Sequence, residues 1–261
     1  MPVRLLLLAL ASFVAAIINA IAGGGSFLTF PSLTGVMRLS DKAANITNTI
    51  GMWPGSASSI WPVLDEIRRL PRALLALYSA VSLAAGFVGA WLLQHTTAAS
   101  FALILPWLLL AATVIFAFSK PIARWAGRGH GSGHSPAWTA VVVCIQFVIG
   151  VYGGYFGAGI GVLMLAGLSF AGFENIYQVN ALKVLLSTLI NLTAAILFLF
   201  SGQIAWGAAG VMAVASVGGG VLGMAVAKRV PQGYLRAIIL VVGATLTAVY
   251  FVRNYHGAGG R

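Results

Sequence analysis

Apolar residues fall in ten runs along the chain, at about 5–21, 26–37, 43–61, 72–93, 99–118, 137–156, 158–172, 179–201, 204–227 and 233–252. The longer ones approach or exceed the roughly 20 residues that a helix needs to cross about 30 Å of hydrocarbon. Runs 26–37 and 158–172 are short, reaching only about 18–22 Å as helix, and each adjoins a glycine cluster. Polar or flexible breaks fall at 23–25, 65–72, 127–136 and 228–232. The pattern predicts an all-α polytopic membrane protein of about 8–10 transmembrane segments, two of its helices short and broken at glycines. Its domains are a first membrane repeat (1–119), a cytoplasmic linker (120–136) and a second membrane repeat (137–261).

Sliding one half over the other exposes a duplication. An offset of 135 places Asn45 on Asn180, Asn48 on Lys183 and Ser56 on Asn191. Near the end of each half an offset of 134 puts Gly86 on Gly220 and Gly89 on Gly223. Polar and glycine coincidences carry this reading, since apolar runs resemble one another easily. The duplication also settles how residues 1–22 are read. They look like a secretory signal, but a related segment recurs at 137–156, so the first run is expected to be a retained helix of the repeat.

Composition sharpens the picture. Of 261 residues, 60% are hydrophobic and only 7% charged, with a mean hydropathy of +0.97, which makes lipid the main solvent. The net charge of +11 sits in short loops and leaves no soluble basic domain to hold nucleic acid. Lys and Arg gather at Arg68, Arg69 and Arg72, at Lys120, Arg124 and Arg128, and at Lys228, Arg229 and Arg236, while 94–100 and 201–203 have neither. Basic loops stay cytoplasmic, so ten crossings put both termini outside and make the two halves inverted repeats. Arg38, Lys42 and Arg253 then fall on the outer side. The lone cysteine, Cys144, forms no internal disulfide and reads as a packing residue.

Two kinds of position carry candidate chemistry. The glycine clusters, Gly23, Gly24 and Gly25 in the first half and Gly157, Gly159 and Gly161 in the second, interrupt helices inside the membrane, where only protein or a water-filled cavity satisfies the freed backbone. A helix starting there offers free N–H groups and a positive dipole end to an anion, and Ser26 adds a hydroxyl. The competing reading is that these glycines only let helices pack closely. Lys183 is the one charge deep inside an apolar run, and it is costly there unless it faces a cavity or a partner such as Glu174. With Asn180, Ser187 and Asn191 it forms one helical stripe, matched by Asn45, Asn48, Ser56 and Ser59 in the first half. These asparagines serve equally well as interhelical hydrogen-bond staples.

The segments AGGGSFLTFPSL from Ala22, AANITN from Ala43, GAGIG from Gly157 and VNALKVLLSTLIN from Val179 resemble the paired motifs of the sulfite exporter TauE/SafE family. That resemblance implies a bacterial inner-membrane permease or exporter for small sulfur-containing or carboxylate anions, such as sulfite, sulfoacetate or thiosulfate. A passive anion channel is the alternative. An intramembrane enzyme is disfavoured: His95, His130, His134 and His256 lie at run ends, in the linker or in the tail, and no nucleophile, metal-ligand cluster or cofactor motif accompanies them.

Overall fold

The computed structural model describes residues 1–21, 23–127, 136–171, 175–226 and 232–256. Helices α1 (Pro2–Ile21), α2 (Ser26–Pro31), α3 (Asp41–Ser58), α4 (Leu64–Arg68), α5 (Arg72–His95) and α6 (Ala98–Gly127) make up the first half. Helices α7 (Pro136–Tyr155), α8 (Ile160–Leu168), α9 (Ile176–Phe198), α10 (Trp206–Val226) and α11 (Gln232–Phe251) follow in the second. Every apolar run of the sequence becomes one of these helices. The amphipathic α4, with Ile67 buried and Arg68 and Arg69 paired to Asp65 and Glu66, was not expected.

Among the described residues, six helices are long and apolar enough to cross a membrane: Pro2–Ile21, Arg72–His95, Ala98–Phe118, Ala137–Tyr155, Tyr177–Phe198 and Trp206–Val226. Their outward faces carry large apolar side chains, among them Leu6, Leu10, Trp107, Val148 and Val214. In water such a surface would be an aggregation liability; in lipid it is the ordinary exterior. The chain is a multi-pass α-helical membrane protein. Cys144 is exposed on α7 rather than packed in the core, which corrects its sequence reading.

The halves interlock through their fourth apolar segments, α5 and α10. Helix α10 packs along α1 and α3, whereas α5 packs along α7 and α9. Residues lacking side chains allow this. A Cβ at Gly220 would strike the backbone of Gly55 on α3, and one at Gly154 on α7 would strike Gly86 on α5. Contacts advance in step along each pair: Phe13 meets Gly219 and Ile17 meets Gly223, and Ser82 meets Gln146 where Gly86 meets Gly154. Helix α1 therefore runs parallel to α10, and α5 parallel to α7. Thr47, near the start of α3, accepts a hydrogen bond from the Ala205 N–H just past the end of α9, so α3 and α9 run in opposite directions.

The same backbone device ends α1 and α7. The Gly23 N–H bonds back to the Ile18 carbonyl at 3.1 Å, and the Gly157 N–H to the Tyr152 carbonyl at 3.2 Å. Both glycines have positive φ, +84° and +76°, which a residue with a Cβ resists. The two bonds are related by the 134-residue offset that the glycines of α5 and α10 follow.

Candidate functional site

At the breaks the two halves touch. The Gly23 backbone lies against Gly161 at the start of α8, and no side chain fits at either position. Around this crossing lie two small polar cavities. One, of about 10 Å³, is lined by Asn19, Ala20, Ser56, Ser59, Gly161, Lys183, Val184 and Ser187. The other, of about 20 Å³, is bordered by Ser26, Asn48, Thr49, Trp53, Gly157 and Asn191 among others, and it shares Asn19 and Ser56 with the first. Each has space for about one water. The shared residues are themselves bonded, Asn19 Nδ2 to Ser56 Oγ at 3.4 Å, and they stand between the two spaces.

Lys183 is 1% exposed, and its Nζ donates to the carbonyl of Ala20 at 3.0 Å. The carbonyls of a helix's last turn lack intrahelical donors and form the negative end of its dipole, so a cation is well placed there. Glu174, the alternative partner, lies outside the described residues. Ser187 Oγ, beside Lys183 on the cavity, donates back to the Val184 carbonyl.

The structure brings Ser26, Asn48, Gly157 and Asn191 to one cavity and Gly161, Lys183 and Ser187 to the other. It leaves the remaining candidates elsewhere. Asn45 donates to the Tyr155 carbonyl at the end of α7 at 2.9 Å, as an interhelical staple. Gly24 packs on Ile239, Gly25 on the Ala15 carbonyl and Gly159, at φ +74°, on Phe27; Asn180 lines neither cavity. The amides at the breaks are partly used locally, with Phe27 N–H bonded to Gly24 O and Ile160 N–H to Gly157 O.

Three cavity residues were missed from sequence: Asn19, Thr49 and Trp53. Asn19 is an isolated amide in the apolar run of α1, four residues before Gly23, and that isolation was the available signal. Trp53 reads as bulk on any hydropathy pattern, yet it continues the 45, 48, 49, 56 face of α3 at helical spacing. Thr29 was also missed. Its hydroxyl donates to Asn48 Oδ1 at 2.6 Å and turns that amide's NH2 away from itself.

A multi-pass bundle in which two broken helices meet over buried polar cavities has the architecture of a membrane transporter. The comparisons agree: residues 8–251 match the family described as Sulfite exporter TauE/SafE. The chain belongs to that membrane transporter family. It is 28% identical over 237 residues to a "Probable membrane transporter protein" of Haemophilus influenzae, an alignment covering 90% of each chain. Against "Probable membrane transporter protein YfcA" of Escherichia coli K12 it is 27% identical, over 95% of this chain and 89% of the relative. A "Probable membrane transporter protein ORF9" of a Sinorhizobium species is 28% identical, covering 90% and 88%. No solved structure matches at a significant level.

Proposed function

We propose that this protein is a secondary transporter of small anions in a bacterial plasma membrane, moving sulfur oxyanions such as sulfite or related organosulfonates and carboxylates. The observation that carries the reading is Lys183: a buried cation, bonded to a carbonyl, on a cavity whose other polar groups are neutral amides and hydroxyls. Neither cavity lining includes Asp, Glu, His or Cys, so the local field favours a negative solute and offers no catalytic base. Two one-water cavities separated by the Asn19–Ser56 pair support a carrier that must change shape over an open anion channel.

The repeats are inverted in this reading. Supporting it, α3 and α9 run oppositely, and α1 and α7 follow α3 and α9 respectively through the parallel packing of α10 and α5. Inversion lets two near-equivalent halves exchange inward- and outward-facing conformations around one central site.

Uptake of labelled sulfite, thiosulfate, sulfoacetate and small carboxylates into proteoliposomes tests the function. The expected result is saturable flux with counterflow for at least one of these anions, lost in Lys183→Ala. Absence of flux for all of them overturns the anion reading, and flux without saturation or counterflow turns it into a channel.

A further inference from the structure

We infer that the transported anion rests in the chamber of Trp53, selected there by the indole N–H, and meets Lys183 only after passing the Asn19–Ser56 partition. The inference rests on the anion-transport reading above and assigns that reading its resting site.

Neutral donors distinguish this chamber. Trp53 lines it, and its Nε1 is buried with no hydrogen-bond partner. The Asn48 amide has its oxygen occupied by the Thr29 hydroxyl, which leaves its NH2 to donate. Among the described residues, the side chains of Ser26 and Asn191, also on the lining, have no hydrogen-bond partner. Thr49 is the exception: its hydroxyl donates to the Asn45 carbonyl at 3.1 Å and so offers the chamber only lone pairs. Buried polar groups are normally satisfied, so the unpartnered Trp53 N–H beside this cavity marks a place where an acceptor is expected. An oxyanion, with several acceptor oxygens, suits a chamber lined by the donor-bearing side chains of Ser26 on α2, Asn48 and Trp53 on α3 and Asn191 on α9. A cation does not.

Lys183 is arranged differently. One of its three ammonium N–H groups donates to the Ala20 carbonyl, and its cavity is the smaller of the two. Asn19 and Ser56, which line both spaces, are joined by a long 3.4 Å bond. In this conformation the Trp53 chamber holds about one water, so a sulfite-sized anion is admitted only when the walls of α1, α3 and α9 part. Neutral donors thus hold the anion at rest, and the lysine acts on it during transfer.

Equilibrium binding separates the two roles. The probe is whichever labelled anion among sulfite, thiosulfate and sulfoacetate gives saturable flux with the purified protein in proteoliposomes. Trp53→Phe keeps an aromatic ring, smaller than the indole, and deletes the N–H; its Kd is expected to rise about tenfold or more, the loss of one hydrogen bond to a charged acceptor. Lys183→Gln is expected to keep Kd within about threefold while losing flux. Monodisperse elution of both variants reports folding, and Trp53→Tyr, whose hydroxyl restores a donor, is expected to recover part of the affinity. An unchanged Kd in Trp53→Phe with intact wild-type flux overturns this assignment and leaves the transport reading standing. Equal weakening by both variants overturns the separation of resting site from lysine. No flux or binding of any of the three anions by the wild type overturns both readings.

Discussion

Lys183 on α9 reaches the carbonyl of Ala20, 163 residues earlier in the chain, and so ties the second half to the end of the first half's leading helix. The bond sets a lysine N–H against the negative end of α1 at the glycine crossing. Lys183→Met keeps the length of the side chain and removes the charge. It leaves the Ala20 carbonyl without its donor, a cost of about 1–3 kcal/mol, partly offset because a buried charge is also removed. The expected outcome is folded protein in near-normal yield with flux reduced roughly tenfold or more, read by transport assay beside size-exclusion chromatography. Lys183→Arg keeps the charge but must fit a broader, planar guanidinium into a cavity of about 10 Å³, so flux is expected to recover only in part.

Gly23 and Gly161 form the closest backbone approach between the halves at the site. Gly23→Ala forces a Cβ into the α8 backbone and strains a positive φ, so it is expected to lower stability by at least about 1–3 kcal/mol. Gly210→Ala on α10, where nothing lies within 4 Å, is expected to be neutral or to gain up to about 1 kcal/mol from helix propensity. Thermal unfolding in detergent distinguishes the two.

Legibility from sequence divides along a physical line. The ten helices, their order and the glycine breaks follow from apolar run length and from the duplication, because helix in lipid is dictated by local backbone satisfaction. Lys183 was legible for the same reason, as a charge where charge is costly. The partners were not. That Asn45 staples Tyr155 while Asn48 turns to a cavity depends on which neighbour lies across each residue, and a stripe at helical spacing says nothing of that. Lys42 read as an outer loop charge, but it is buried and donates to the Gln94 and Thr96 carbonyls at the end of α5. It repeats there the pairing of lysine and helix end seen at Lys183 and Ala20. Trp53 was invisible because its informative atom is one N–H on a large apolar ring.

Thr29 acts on the chamber through Asn48. Thr29→Val preserves shape and removes the hydroxyl that holds Asn48 Oδ1, freeing the amide to rotate. KM for the transported anion is expected to rise about three- to tenfold with a smaller change in maximal rate, since about 1 kcal/mol of orienting interaction is lost. A fall in maximal rate with unchanged KM would place Thr29 in the conformational change instead of in binding.

Inversion of the halves makes a prediction about sides. The start of α3 and the loop after α9 share one face of the bundle, because Thr47 bonds to Ala205, and the end of α5 joins them through Gln94, whose amide donates to the Leu197 carbonyl. Loop charge assigns that face to the outside and the 120–136 linker, of which 128–135 lies outside the described residues, to the cytoplasm. On a Cys144→Ser background, the single substitutions Ser40→Cys, Thr97→Cys and Gln203→Cys are at exposed positions and are expected to react with a membrane-impermeant maleimide on intact cells. Gly131→Cys is expected to react only after permeabilisation. The mirror-image result keeps the inverted architecture and reverses its orientation, whereas Ser40→Cys and Gln203→Cys reacting from opposite sides would refute the inversion itself.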